Sequence, residues 1–472
     1  MIGYRAILRA VIYSSLVLGV AGCASVDTES RIEQLNRDIS DLVDGSFSVE
    51  VEPGSTEYAA KVDELLGSSV GLRQAQQIQL LNSFELRSLV HSSLSDMAYA
   101  AQLGRIANPN FIFERISSPG ELELTRVLSF GLLDLITLPK RNKVAESQME
   151  VAQLRMTATV MDQLLQVKVA WVRAVAALEL EQYAKKVLDS ASAGAELARR
   201  MEAVGNFNRL DRSREQSYYA DAATKYALSK HEAEMAKEDL VRLLGLTAEQ
   251  AQMLTLPDQL PELPSDLVAV ETVRDALNQD RIDIQLAKSQ LIAAGQAQGL
   301  DLITSFTDVE VSYVDKTQFG DDTRTTPDGY ELAISLPIFD WGDQRREAMS
   351  QQSLAAAFRY EHILRSAATD LRKAYSAYTV SHSIAIHYRD EIVPLRKAIS
   401  EENLLRYNGM IIGVFELLAD SRQQIAAVMG AIDSKKQFWM ADIGLQAALV
   451  GNPRSVTPIS ANATSVESGK GH

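Results

Sequence analysis

Apolar side chains recur every three or four positions through a stretch that holds no proline between Pro139 and Pro257. Met161, Leu165, Val169, Val172, Ala176, Leu180, Tyr183, Val187, Ala191, Ala195, Ala198 and Met201 form one stripe, the pattern of a single helix with one buried face. The stripe predicts a helix from Lys140 to Val204, about 95 Å long at 1.5 Å per residue. Gly205-Asn206 then supplies a stop, because both residue types tolerate the left-handed conformation that ends helices. A second helix over Arg209–Leu244 closes at Gly245, so the pair predicts a long antiparallel hairpin. The second half repeats the plan with a helix from Gly342 to Tyr407, a turn through NGMIIG and a return from Phe415 to Val450. Pro394 lies inside that second long helix and predicts a kink or local loosening, since it lacks an N–H and its ring clashes with the preceding turn.

A different period precedes each hairpin. Val309, Val311 and Tyr313 alternate with Asp308, Glu310 and Ser312, and Tyr330, Leu332, Ile334 and Leu336 alternate with Glu331, Ala333 and Ser335. Alternation by two predicts strands with one apolar face, as a barrel wall between lipid and water requires. In the first half, Asn110–Ser117 and Glu121–Leu138 flank the turn Ser118-Pro119-Gly120 as a less regular strand pair, its faces blurred by Leu132-Leu133 and Asp134. Four strands cannot close a membrane barrel, for which about eight are needed. An open edge in lipid strands its backbone groups without partners. Strands in a membrane would therefore have to be pooled among several chains.

The chain also echoes itself. GNFNRLDRSREQ at 205–216 and GVFELLADSRQQ at 413–424 agree at Gly205/Gly413, Phe207/Phe415, Leu210/Leu418, Ser213/Ser421, Arg214/Arg422 and Gln216/Gln424. Ile334-Ser335-Leu336-Pro337 likewise mirrors Ile136-Thr137-Leu138-Pro139. An internal duplication, with each copy of the echo capping one hairpin, accounts for both. The implied organisation is a first repeat at 71–256 (strand pair 110–138, hairpin 140–245), a proline-rich linker at 257–269 and a second repeat at 270–451 (strand pair 305–338, hairpin 342–450). Residues 23–70 read as a polar segment draped along the outside, and 452–472 as a disordered tail.

Residues 1–22 read as a cleaved signal: Arg5 and Arg9 precede a short apolar run ending in Val20-Ala21-Gly22. Cys23, directly after these small residues, resembles the lipobox of bacterial lipoproteins, which implies cleavage to a lipidated N-terminal cysteine; it is the only cysteine and so has no disulfide use. An ordinary signal with an incidental cysteine is the alternative. The formal charge of −15 argues against nucleic acid, which demands a basic face. No motif of a hydrolase, metalloprotease or phosphate-binding loop is present, and no enzyme or metal site is expected. His382 and His387 are five apart, off a shared helix face, and read as solvated.

The segments LRQAQQIQLLNSFELRSL with NPNF, LPDQLPELP with ALNQDRIDIQLA, ISLPIFDWGDQRREA and LLRYNGMIIGVFELLADSRQQ resemble the TolC-like outer membrane efflux family, in its lipoprotein branch. The resemblance spans about Gly71 to Gly451. It implies a mainly α fold with a small membrane β-barrel portion: a homotrimer in which each chain gives four strands to a twelve-stranded barrel, with helical hairpins forming a tunnel in the periplasm. It implies an exit duct anchored in outer-membrane lipid through Cys23, with no cofactor, working with a periplasmic adaptor and an inner-membrane pump. It also implies a gate in which Tyr407 hydrogen-bonds Asp211 and Glu416 lines the narrowest ring, and adaptor contacts at Gly205, Phe207, Gly413 and Phe415. Two readings compete in part. Asp211 and Glu416 can be first-turn carboxylates favoured by the helix dipole, and each Phe can be a staple that fixes its own turn. The rival for the whole chain is a lipid-anchored coiled-coil scaffold without channel activity, which leaves the strand pairs unexplained.

Overall fold

The computed structural model describes residues 27–42, 56–119, 121–269, 271, 281–305, 308–320 and 323–451. Cys23 and the tail after Gly451 lie outside these residues. The described elements are α1 (Thr28–Leu42), α2 (Thr56–Leu66), α3 (Leu72–Asn82), α4 (Phe84–Leu103), β1 (Asn110–Ser118), β2 (Glu121–Gly131), α5 (Leu132–Ala203), α6 (Arg209–Leu244), α7 (Ala248–Met253), α8 (Ile282–Thr304), β3 (Val309–Phe319), β4 (Arg324–Thr325), β5 (Asp328–Ile334), α9 (Asp343–His387), α10 (Val393–Asn408) and α11 (Val414–Val450). Between α9 and α10 lies one π-helical turn, Tyr388–Ile392.

The helical hairpins fall where the three-and-four pattern puts them. The first strand pair does not: β2 stops at Gly131, and 132–138 belong to α5, a helix of 72 residues with Pro139 inside it. The blurred alternation at Leu132-Leu133 was the start of a helix. Asp134 ties this first turn down by accepting from Arg141 Nη1 at 2.7 Å, while Arg141 Nε donates to the Leu103 carbonyl at 3.0 Å. The tetrads at 136–139 and 334–337, alike in sequence, thus sit in a helix and at a strand end.

The chain forms two compact units, and neither is one of the repeats. The described residues within 27–35, 91–157 and 284–364 make the first; those within 36–90, 158–283 and 365–451 make the second. Each takes segments from both halves of the chain, so the units do not coincide with the expected repeats.

The first unit holds an antiparallel sheet in the order β1-β2-β3-β5, with the two-residue β4 also on β3. The second unit is helical. Its core gathers around Trp171 of α5, which is 2% exposed and donates Nε1–H to the Val70 carbonyl at 2.8 Å. Val62 and Leu66 of α2, Ile78 of α3, Leu240 and Leu244 of α6 and Ile443 of α11 pack into the same cluster. With Leu35 and Ile39 of α1 also buried, the segment expected to be a polar drape contributes ordered helices with packed faces.

A second cluster forms where α9 meets α11. Phe438 is fully buried, with Tyr378 at 5.5 Å and His382 at 5.3 Å between ring centroids. His382, expected in solvent, is instead 9% exposed, its Nε2 2.9 Å from the Pro264 carbonyl. Trp439 Nε1–H donates to the Pro261 carbonyl at 3.1 Å, and Leu260 and Leu263 are buried. The proline-rich linker is therefore docked along its length, its free carbonyls serving as acceptors for these rings.

Pro394 is accommodated by the π turn just before it. The Val393 N–H reaches back to the Tyr388 carbonyl, and this wider spacing opens the helix where the proline ring would otherwise collide. The turn seats Tyr388 against Gly430 of α11: a Cβ added there would lie 2.6 Å from Tyr388 Cε1. Gly430→Ala should therefore lower the thermal midpoint although alanine favours helix by ~1 kcal/mol. In a Tyr388→Ala background the same substitution should become stabilising, which denaturant titration of both pairs would check.

Asp442 on α11 is buried, and burial pushes its carboxyl up to about 6 against the opposing pull of Lys168 and the Gln446 amide, which donates to Oδ2 at 2.7 Å. A carboxyl raised in the folded state stabilises fully when protonated. Its contribution is present below the ordinary carboxylate range near ~4 and is lost as pH rises through about 6. Melting curves should shift upward as pH falls from 7 toward 5, and Asp442→Asn should flatten that slope.

Candidate functional site

Strand register sorts the sheet into two faces of opposite character. Phe111, Phe113, Leu122, Leu124, Leu128, Phe130, Val311, Tyr313, Phe319, Tyr330, Leu332 and Ile334 share one face. Its charged members on β1, β2, β3 and β5 are Arg115, Arg126, Asp315 and Asp328, of which Arg126 and Asp315 stand opposite each other and pair at 3.3 Å. Glu114, Glu123, Thr125, Ser129, Glu310, Ser312, Lys316, Gln318 and Glu331 share the other, with Ile112, Ile116, Val127 and Val314 as its apolar members. Lys316 and Glu123 pair there at 3.3 Å.

The apolar face is uncovered: Tyr330 is 84% exposed, and Phe111, Phe113 and Leu332 are exposed too. Strands β1, β2 and β3 have 9, 11 and 11 residues, the length a tilted strand needs to cross a bilayer. Among the described residues, no strand pairs with the outer edges of β1 and β5. Among the described residues no helix is long and apolar enough to cross a membrane.

At the hairpin tips, where the other candidate residues lie, the two turns are the same turn. Gly205 N–H donates to Glu202 at 2.9 Å and Asn206 N–H to Met201 at 2.8 Å; Met410 N–H donates to Tyr407 at 2.9 Å and Ile411 N–H to Arg406 at 2.8 Å. Gly205 (φ 80°) and Met410 (φ 59°) each take the left-handed position that reverses the chain. Asn208 and Gly413 are then the N-caps of α6 and α11. The structural match therefore sets Gly205 against Met410, three positions away from the Gly205/Gly413 identity in the sequence. The two glycines do different jobs: Gly205 allows positive φ, whereas Gly413 is extended at φ −82°, ψ 160°.

This register moves the predicted residues. Asp211 and Glu416 become equivalent, each the third residue of its helix. The Asp211 N–H is capped by Asn208 Oδ1 at 2.9 Å and its carboxylate lies 3.7 Å from Arg214 Nη1. Glu416 is exposed. Tyr407 is half-buried in the last turn of α10, and no hydrogen bond joins it to Asp211 within the chain. Phe207, expected at an exposed tip, is only 8% exposed. The apolar groups presented to solvent at the tips are Val204, Leu210, Met410 and Ile411. The side chain of Phe415 lies outside the described part.

What the sequence did not disclose is a contact between the hairpins. Glu215 of α6, with its side chain 4% exposed, accepts from Arg422 Nη2 of α11 at 2.6 Å, and the same guanidinium lies 4.2 Å from the centre of the Tyr218 ring. Arg422 had been matched to Arg214, and that offset hid its partner.

No protein-family model matches the sequence, nor does any curated protein. Solved structures do match. The outer-membrane channel OprN superposes with a TM-score of 0.66 at 17% identity, over 85% of this chain and 94% of that one. The outer membrane protein VceC of Vibrio cholerae gives 0.64 at 15% identity, over 84% and 97%. The MtrE outer membrane channel of Neisseria gonorrhoeae, solved in its open state, gives 0.62 at 19% identity, over 82% and 91%. This chain has the fold of those outer-membrane channels, the fold its resemblance to the TolC-like outer membrane efflux family led us to expect.

Proposed function

We propose that the protein is an outer-membrane exit duct in which three copies pool their strands into one barrel and their hairpins into a periplasmic tunnel. The observation that supports this reading is the two-faced sheet with two free edges. A bilayer tolerates such a sheet only if the edges are paired, and copies of the same chain supply matching edges. A scaffold has no use for an uncovered face of Phe, Tyr and Leu opposite a face of Glu, Ser and Lys. In the duct the second face lines a water-filled lumen.

The chain carries no energy source that the reading needs. A pump in the inner membrane and a periplasmic adaptor would supply drive and cargo, whether drug, solvent or metal cation. Lipid on Cys23 would anchor the chain in the outer membrane. At the inner end the matched carboxylates Asp211 and Glu416, with Tyr407 one turn before the second tip, form the proposed gate; repeated around a ring they favour cations. The adaptor would meet the exposed tips at Gly205 and Gly413 and their neighbours Val204, Leu210, Met410 and Ile411.

Planar-bilayer recording of the purified protein tests the duct. Discrete, cation-preferring conductance steps are expected. Leu332→Lys, on the apolar face, should prevent insertion, since a lysine near the bilayer midplane costs about 2–4 kcal/mol. Ser312→Lys, on the opposite face, should insert normally and lower the cation preference. Absence of steps from the unsubstituted protein, or equal tolerance of lysine on both faces, would count against the reading. Cys23→Ser should abolish acyl labelling of the chain and leave its conductance steps intact.

A further inference from the structure

The sheet sorts its charges by face as it sorts its apolar groups. Strand β4 sets Arg324 opposite Phe319, so Arg324 shares the apolar face with Arg115 and Arg126. The glutamates of the strands, Glu114, Glu121, Glu123, Glu310 and Glu331, all stand on the other face. Among the described residues of the sheet, arginine belongs to the uncovered apolar face and glutamate to its opposite.

The charges are also ordered along the strands. On the apolar face, residues two apart form successive rows, about 7 Å from one row to the next. The three rows nearest the helices carry no charge: Val309 and Ile334; Phe130, Val311 and Leu332; then Phe111, Leu128, Tyr313 and Tyr330. The uncovered apolar surface continues past β5 into the segment leading to α9, where Leu336, Ile338 and Trp341 are exposed and Phe339 is 99% exposed. The fourth row is mixed: Arg126 pairs with Asp315, and Asp328 accepts from the Tyr313 hydroxyl at 3.4 Å. Beyond it the acids stop. The fifth row holds Arg115 with Leu124 and Thr317, and the sixth holds Arg324 with Phe319, Leu122 and Ser117.

An apolar band, a row rich in aromatic rings and then arginines is the profile of a wall passing from hydrocarbon into anionic headgroups. Arg115 is exposed and forms no ion pair among the described residues. The Arg324 guanidinium lies 5.3 Å from the centre of the Phe319 ring. That contact steadies the guanidinium plane and leaves its N–H edge to fork onto phosphate oxygens. Arg115 on β1 and Arg324 on β4 are three strand spacings apart, about 14 Å. Two phosphates held apart on one stiff frame match that separation.

We propose that Arg115 and Arg324 bind the headgroup of an outer-leaflet glycolipid carrying two phosphates on a disaccharide, one phosphate to each guanidinium. This rests on the duct reading, which turns the apolar face to lipid and the strand loops outward. Engaging the first phosphate presents the second at high effective concentration, so the paired contacts reinforce each other. A headgroup with one phosphate satisfies one arginine only.

Native mass spectrometry of the full-length protein in detergent reads the site without requiring conductance. The probes are bisphosphorylated lipid A, monophosphorylated lipid A and phosphatidylethanolamine. The bisphosphorylated form should be retained most strongly, about fivefold over the monophosphorylated form, and the zwitterionic lipid least. Arg115→Gln and Arg324→Gln should each weaken retention of the bisphosphorylated form about fivefold, and the double variant about thirtyfold. Either single variant should erase most of the preference for two phosphates over one. Arg324→Lys should retain more than Arg324→Gln, and Lys316→Gln, on the opposite face, should change nothing.

Equal retention of the three lipids, or undiminished retention by the double variant, would overturn the proposal; so would an equal loss in Lys316→Gln. The two readings fail separately. Silence in planar bilayers with arginine-dependent retention removes the duct and leaves the lipid site. Conductance steps with arginine-independent retention remove the site and leave the duct.

Discussion

A β-sheet edge carries a row of N–H and C=O groups, and in hydrocarbon each one left without a partner costs several kcal/mol. That constraint organises the rest of this molecule. Strands β1 and β5 end the sheet with free edges, while the face between them is apolar enough for lipid. Alone in a membrane the sheet would be untenable, and in water its uncovered aromatic face would be a liability. In the duct proposed above, copies of the same chain would resolve both problems at once, because a curved antiparallel sheet can meet the next copy's edge with its own.

The helices answer a different requirement, which is length. An isolated helix as long as α5 has no core of its own, so its stability must come from packing along one face. In the second unit that packing is concentrated at two places: the Trp171 cluster and the Phe438 ring cluster, with the proline-rich segment serving as acceptor for the rings. Along the hairpins the buried positions pass to alanines such as Ala184, Ala191, Ala198 and Ala222, and Glu215–Arg422 is a specific link between hairpins.

Much of this was legible in the sequence because it is periodic. The three-and-four stripe through Met161–Met201 located the first hairpin, and the period-two runs at Val309–Tyr313 and Tyr330–Ile334 located β3 and β5. The misreadings came where a local identity was taken for a structural one. Leu132–Leu138 is apolar without a clean period, and a proline at Pro139 does not prevent a helix when it falls near the start and Asp134–Arg141 holds the first turn. Gly205 and Gly413 are the same residue with different duties, since a methionine took the left-handed position in the second turn. Three positions are nearly one helical turn, so the false register kept apolar residues facing the same way and gave no warning. His382 is buried against a segment distant in sequence, and the carboxylate of Glu215 finds its arginine some two hundred residues on; no local pattern encodes such meetings.

The central claim, that free sheet edges of identical chains pair to close one wall, is tested most directly by edge cross-linking. Cysteines would be placed singly along Asn110–Ser118 and along Asp328–Ile334, combined one from each strand, and oxidised in membranes. The account predicts that one register of pairs yields covalent ladders that stop at three chains, with the three-chain band resistant to dilution before oxidation. Ladders that run on past three, or no link between β1 and β5 at any register, would contradict it.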